Sequence, residues 1–136
     1  MASRFQITAA TLAAELAKPY VYGESDCFFL GCRMADALDP TLGLVDRYWH
    51  SYSTLLGAQK ALRKHGFETL SDLFGSHLEP CAPAEARLGD IAVLQLDRGQ
   101  HVAVCLDTRF TTRTEVGRSD HPLTAVVAAF RTGGPA

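Results

Sequence analysis

Residues 20–36 read YVYGESDCFFLGCRMAD, and this stretch decides the fold. A glycine-containing turn leads into Asp26, and the pattern then predicts a helix over about 26–38 that ends before Pro40. From Cys27 onward, apolar residues recur at the three- and four-residue spacing of a buried helical face. Cys27 is therefore expected at the N-terminal tip of a core helix, where free backbone N–H groups and the helix dipole favour a thiolate.

The composition is that of one globular domain. The chain has 136 residues, of which 47% are hydrophobic, and 13 basic side chains nearly balance 15 acidic ones. This length suits a single core, so we expect one domain over residues 1–136. A net charge of -2 offers no basic face for nucleic acid or for an anionic membrane surface. No apolar run approaches the roughly 20 residues of a membrane span.

The first residues predict an amphipathic helix over about 8–17 rather than a signal peptide, because Glu15 and Lys18 interrupt the alanine-rich part. Synthesis in the cytoplasm is then the default, and the four cysteines are expected to be free thiols. No Cys-x-x-Cys or His-x-x-x-His pair occurs, so neither a metal site nor a cofactor is expected.

Helical patterns precede strand patterns along the chain. Further helices are predicted over about 53–64 and 69–77, with an irregular segment or helical turn at 41–49 and a loop at 79–85. Alternation then predicts strands over about 90–96, 101–107, 109–116 and 125–131. Helices followed by an antiparallel meander of about four strands indicate an α+β fold.

His101 is the candidate base for the Cys27 thiol. In the second predicted strand it shares one face of the pleat with Ala103 and Cys105, small residues that would let a helix pack closely. If that helix is the one that begins at Cys27, the imidazole reaches the thiol. Taken alone, a histidine at a strand end is better explained by an ordinary surface hydrogen bond. The cysteine at the helix tip shifts the balance towards a Cys–His pair.

Four blocks of sequence, taken in order, resemble the landmarks of the NlpC-type cysteine peptidases. These blocks are Tyr22-Gly23, Asp26-Cys27, Leu88-Gly89-Asp90-Ile91-Ala92-Val93 and His101-Val102-Ala103-Val104-Cys105-Leu106. The enzymes of that superfamily are papain-like and cleave peptide bonds in bacterial cell-wall stem peptides. Within it, the compact form of this chain is similar to small phage-encoded proteins found among tail genes. The blocks frame about residues 20–112.

The resemblance implies a role for each matching residue. Cys27 would be the nucleophile and His101 its general base, and the two would form an ion pair. The backbone N–H of Cys27 would help to hold the oxyanion, with Tyr22 and Asp26 beside the substrate. Asp90 would belong to a structural turn that starts the sheet.

Two positions depart from the family pattern. The usual Asp-Cys-Ser-Gly is replaced by Asp26-Cys27-Phe28-Phe29, so bulky rings are expected where small residues would line the cleft. The third polar residue, often a histidine, has no histidine counterpart here. Thr111 and Thr112 lie at that place, and Thr112 is the candidate, although a threonine hydroxyl orients an imidazole less strongly than a carbonyl, amide or carboxylate does. His121 is an alternative partner for the base.

The resemblance implies a cysteine peptidase or amidase that acts on peptidoglycan stem peptides. It also implies synthesis in the host cytoplasm and incorporation into a phage tail, with tail-tip or hub proteins as partners. Two alternatives stay open. One is a catalytically weak or inactive member that serves as a structural or adaptor protein of the tail tip. The other is an acyltransferase on the same scaffold.

Overall fold

The computed structural model describes residues 2–133, so residues 1 and 134–136 of the predicted domain lie outside the described residues. Within that range, five helices precede six strands. The helices are α1 (Arg4–Leu16), α2 (Cys27–Leu38), α3 (Leu44–Tyr48), α4 (Leu55–Lys64) and α5 (Leu70–Gly75). The strands are β1 (Pro80–Cys81), β2 (Ile91–Leu96), β3 (Gly99–Cys105), β4 (Phe110–Thr114), β5 (Gly117–His121) and β6 (Val126–Phe130).

The strands form one antiparallel sheet in the order β1-β6-β2-β3-β4-β5. The α+β class is confirmed, but the sheet has six strands rather than a meander of about four. The segment predicted as one strand over 109–116 turns back at residues 115–116 and continues as β5. The predicted loop at 79–85 contributes β1, which pairs with β6. Both additions lack apolar alternation, so their place depends on pairing with a neighbouring strand.

Side-chain caps set the starts of the first two helices. The Ser3 hydroxyl accepts from the Gln6 backbone N–H over 3.1 Å, and the Gln6 side chain accepts from the Ser3 N–H over 2.8 Å. This reciprocal capping box starts α1 at Arg4, earlier than the predicted residue 8. Asp26 caps α2 in the same way by accepting from the Phe29 N–H over 3.0 Å. Cys27 is thus the first residue of α2, one residue after the predicted start.

Helix α2 packs directly on β3 at the centre of the main core. Leu30, Met34 and Ala35 are fully buried along its length. Gly31 is the point of closest approach, because a Cβ added there would lie 2.5 Å from Val102 Cγ1. The missing side chain at residue 31 therefore leaves room for a branched side chain of the sheet.

The face of β3 under α2 is the opposite of the one predicted. Val102 and Val104 belong to the core cluster that includes α2, whereas Ala103 belongs to a second cluster on the other side of the sheet. His101 pairs in register with Leu94, which is also in that second cluster. The prediction that His101 and the small residues lie beneath α2 is wrong, because the room for close packing is on the helix and the valines fill it.

The protonation state of His77, which lies just after α5, affects the stability of the fold. Its Nε2 atom lies 2.6 Å from the buried Tyr48 hydroxyl, and burial, aided by the Arg47 charge, lowers the pKa of His77 below its usual value. The folded state then binds the proton less readily than the unfolded state, so stability is present above pH of about 6.5 and is lost as pH falls below it. We expect the urea midpoint to fall from about pH 7 to about pH 5.

A His77→Gln variant should show a smaller fall of the urea midpoint with acid. His50→Gln is the matched control, because that side chain is 63% exposed, and its pH profile should follow that of the parent. An unchanged acid dependence in His77→Gln would contradict the assignment.

Candidate active site around Cys27

Asp26 shapes the turn that presents Cys27. Its carboxylate is buried and accepts from the backbone N–H groups of Gly23 and Phe29, each over 3.0 Å, and from the Tyr52 hydroxyl. Both carboxylate oxygens therefore bond within the protein. Asp26 therefore caps α2 and holds the preceding turn in place. Its predicted position beside a substrate stays a prediction.

The Cys27 thiol lies where β3 and β4 separate. The ladder between these strands consists of Val104–Thr111 and Cys105–Phe110 and does not continue towards Val102. There the Thr112 hydroxyl donates to the Val102 carbonyl oxygen over 2.6 Å. This hydroxyl and the Val102 backbone N–H both act to lower the pKa of Cys27, so they lie near the thiol. The thiol thus borders the sheet as well as the helix that carries it.

The environment of the thiol disfavours its ionised form. Cys27 is partly exposed, yet it lies in a densely packed region, and burial followed by the Asp26 charge raises the pKa of Cys27 to about 12. The Val102 N–H, the Thr112 hydroxyl and the N–H of Cys27 itself act in the opposite direction, but they do not outweigh burial. A thiol of this kind is protonated at neutral pH, so a nearby base has to activate it.

His101 immediately precedes Val102, whose backbone N–H lies near the thiol. Its Nδ1 atom lies 3.2 Å from the Gly99 carbonyl oxygen, and among the described residues no hydrogen bond joins the imidazole to Cys27. A carbonyl only accepts, so Nδ1 carries the proton and Nε2 holds the lone pair of the neutral ring. The imidazole is therefore in the tautomer of a base that acts through Nε2, but it is not hydrogen-bonded to the thiol.

Tyr20 is a site residue that the sequence reasoning missed. Burial raises the pKa of Tyr20, and the nearby Cys27 backbone N–H, the group predicted to hold an oxyanion, acts in the opposite direction. The Arg113 guanidinium lies 5.4 Å from the centre of its ring. Tyr22, which was the predicted lining residue, packs edge-to-face on Tyr20 and donates its hydroxyl to the Glu115 carboxylate. Tyr20 and Tyr22 are two residues apart in this turn, and their spacing does not tell which one lies near the start of α2.

The two phenylalanines after Cys27 do not line a cleft. Phe28 is 9% exposed and Phe29 is not exposed at all. Phe28 packs edge-on against Tyr48 at 5.6 Å between ring centres, and Phe29 does so against Trp49 at the same distance. The expectation of bulk in the cleft is corrected, because the second and third positions of α2 point into the core.

His121 is occupied elsewhere. It lies on β5, paired in register with Phe110, and its Nε2 atom is 2.8 Å from the Ser119 hydroxyl. The structure therefore gives this histidine a local partner on its own strand. Of the two candidates for a third polar residue, Thr112 is the one that lies near the thiol, since its hydroxyl acts to lower the pKa of Cys27.

A protein family model matches residues 3–132, which is almost the whole chain. The chain belongs to the DUF6950 family. This family is described as a domain of unknown function, so membership assigns no activity. No curated protein matches the chain.

All four cysteines of this DUF6950 protein are free thiols. Residues 2–133 contain no group of three or more His, Cys, Asp or Glu side chains placed to hold a metal ion. In the same range, no helix has the length and apolarity needed to cross a membrane.

Proposed function

We propose that this DUF6950 protein is a papain-like cysteine peptidase or amidase that cleaves peptide bonds of peptidoglycan stem peptides. The observation that supports it most is the position of the Cys27 thiol. This thiol is partly exposed at the first residue of a buried helix, on a rigid mount against an antiparallel sheet. A backbone N–H at a helix start is also a suitable donor for an oxyanion.

In the proposed reaction, the His101 imidazole leaves the Gly99 carbonyl and moves through the opening between β3 and β4 to reach Cys27, because it starts on the face of the sheet away from α2. Its Nε2 atom takes the proton from Sγ, and the resulting ion pair offsets the burial that disfavours the thiolate. The thiolate attacks the scissile carbonyl carbon, and the Cys27 backbone N–H donates a hydrogen bond to the oxyanion.

The imidazolium then returns its proton to the leaving amine, which leaves a thioester on Cys27. Water attacks this thioester while His101 takes a proton from the water. The products are a free carboxylate on the peptide and the regenerated thiol. Both half-reactions use the same base, so loss of His101 affects each of them.

The resemblance to compact phage-encoded proteins supports a further part of the proposal. The protein would be made in the host cytoplasm and incorporated into a phage tail, in contact with tail-tip or hub proteins. Its substrate would then be the peptidoglycan that the tail meets.

Incubation with purified murein tests the activity. We expect the parent protein to release peptides detectable by mass spectrometry, Cys27→Ala to release none, and His101→Ala to lower kcat by at least about a hundredfold. Cys81→Ala is the matched control, since this thiol is also partly exposed but lies on β1, and it should keep full activity. Release that survives Cys27→Ala would remove Cys27 as the nucleophile.

A second function is favoured by one specific observation. The raised pKa of Cys27, together with an imidazole bonded to Gly99, describes a resting thiol that is not activated. This arrangement suits a catalytically inactive adaptor of a tail tip. Absence of turnover from the folded parent, with Cys27→Ala incorporated normally into tails, would favour the adaptor over the peptidase.

A further inference from the structure

Strand β5 forms one edge of the sheet. The strand order ends at β5, whose residues 117–121 read GRSDH and include no fully buried residue. The strand contains no proline, so each of its residues carries a backbone N–H group. Within residues 2–133, no other strand pairs with β5 on its outer side. Such an edge offers backbone donors and acceptors to a further strand.

The alternation of the ladder decides which backbone groups of β5 face outwards. The Leu106 N–H donates to the Arg109 carbonyl oxygen over 2.7 Å, so the odd-numbered residues that follow along β4 turn their backbone groups towards β3. The even-numbered residues of β4 then face β5, and among them Thr112 pairs in register with Ser119. The backbone groups of Ser119 therefore bond to β4, and those of its two neighbours in β5 point to the free edge.

The two neighbours of Ser119 are Arg118 and Asp120, which carry opposite charges. Their side chains are 40% and 37% exposed. If a second copy of the chain pairs antiparallel with β5 about a two-fold axis at Ser119, Arg118 of each copy lies directly opposite Asp120 of the other. Each of these two pairs exchanges two backbone hydrogen bonds and brings opposite charges together across the strands.

The neighbouring registers are unfavourable. An axis at residue 118 places the two Arg118 side chains opposite each other, and an axis at residue 120 does the same with the two Asp120 side chains. Like charges in direct cross-strand positions are destabilising. The axis at residue 120 also brings Arg118 opposite Pro122, which has no N–H to donate. The sequence of β5 therefore favours one register for pairing with itself.

An apolar groove lies beside this edge. It is lined by Phe5, Ala9 and Ala13 of α1 and reaches Arg109 and Arg118 at the sheet. Phe5 is 67% exposed. Because Arg118 belongs both to the groove and to the edge strand, a chain that pairs with β5 extends over the groove. A ladder of this length is smaller than a stable interface, which buries about 1,200–2,000 Å², so the groove supplies the apolar part of the contact.

We propose that two copies of the chain pair through β5 in the register centred on Ser119. The result is a two-fold dimer in which the two six-stranded sheets form one continuous sheet. Each copy contributes the same surface, so the assembly closes at two chains. The pairing uses neither Cys27 nor His101, and it is therefore independent of the proposed peptidase function.

Amide exchange of the parent protein tests the pairing without any variant. Sedimentation velocity from about 10 μM to about 1 mM should show monomers converting to dimers. Over this range, exchange of the Arg118 and Asp120 N–H groups, followed by NMR, should slow about tenfold once roughly nine tenths of the chains are paired. The Ser119 N–H is the internal control, and its exchange should slow less because it already bonds to β4.

Two outcomes of this experiment would overturn the proposal. One is a dimer in which exchange at Arg118 and Asp120 does not slow, since the contact would then lie elsewhere. The other is a parent protein that stays monomeric at every concentration, which would leave the β5 edge to a strand of another protein.

Two charge reversals test the register. Arg118→Asp makes both outward positions acidic, and Asp120→Arg makes both basic, so each variant alone should lose its dimer. Mixed in equal amounts, the two variants should form a heterodimer, because every acidic position again meets a basic one. Circular dichroism establishes that each variant is folded. Folded variants that fail to pair when mixed, or that still dimerise alone, would overturn the register.

Arg98→Asp is the matched control for these variants. It makes the same change of charge as Arg118→Asp, but at an exposed residue of the turn between β2 and β3. It should dimerise like the parent protein. Loss of the dimer in Arg98→Asp would show that net charge, and not the facing of Arg118 and Asp120, controls association, and would overturn the proposal.

Discussion

Replacement of Gly23 by alanine is expected to lower the free energy of unfolding by more than about 4 kcal/mol, an unusually large effect for one methyl group. Gly23 has a φ of 83°, and a Cβ built there would lie 1.9 Å from the backbone oxygen of Tyr52. Backbone cannot move aside as a flexible side chain can. The Gly23 N–H and the Tyr52 hydroxyl also bond to the same oxygen of Asp26, so displacement disturbs the turn before Cys27.

Gly66→Ala is the matched control for this prediction. Gly66 has a φ of 92°, close to that of Gly23, but nothing lies within 4 Å of the added Cβ. Gly66→Ala should lower the free energy of unfolding only by the penalty for a left-handed backbone, about 1–2 kcal/mol. Urea unfolding of both variants measures the difference. Equal losses of stability would show that the approach of Tyr52 to Gly23 does not constrain the turn.

Asp90→Asn is expected to lower the free energy of unfolding by about 3–5 kcal/mol, because it removes the charge from a fully buried ionic cluster. The Asp90 carboxylate accepts from Arg4 Nη2 over 2.8 Å, from the Thr132 N–H over 2.9 Å and from the Arg87 N–H over 2.8 Å. Arg131 Nη1 lies 3.6 Å away. These contacts tie α1 and the end of the chain to the start of β2, which agrees with a structural role for Asp90.

Asp120→Asn tests whether burial explains the large effect expected of Asp90→Asn. The Asp120 carboxylate also meets two arginines, with Arg109 Nε and Arg118 Nε each at 3.2 Å, but its side chain is 37% exposed. Water screens such a pair, so the loss should stay below about 1 kcal/mol. Denaturant midpoints with unchanged slopes would make the comparison valid. A loss for Asp120→Asn as large as that for Asp90→Asn would contradict the argument from burial.

The helices were predictable because caps and apolar spacing act over a few residues. α2 ends at Leu38 as expected and begins one residue after the predicted start. β5 was not predictable in the same way. It reads GRSDH, contains no fully buried residue, and owes its place to pairing with β4. A strand of this composition has no period of its own, so the sequence carried no signal for it.

The candidate site likewise has a part that the sequence predicted and a part that it did not. The place of Cys27 follows from Asp26 and the periodicity of α2. The face of the sheet on which His101 lies does not follow from the sequence, since either face of an alternating strand can receive a helix. Small residues on β3 favoured one face in the prediction, while Gly31 on α2 provided the space for the other. Close packing needs one small partner, and the sequence does not say which side supplies it.

By itself, then, the sequence determined that a cysteine heads a buried helix and that strand segments follow, because caps and side-chain periodicity act within a few residues. Only the tertiary structure decided which groups lie near the thiol: Thr112 and the Val102 backbone near sulfur, and Tyr20 near the N–H of Cys27. Thr112 lies 85 residues after Cys27 in the sequence. Such a neighbour is set by how β3 and β4 separate beneath the helix, and this depends on the packing of the whole sheet.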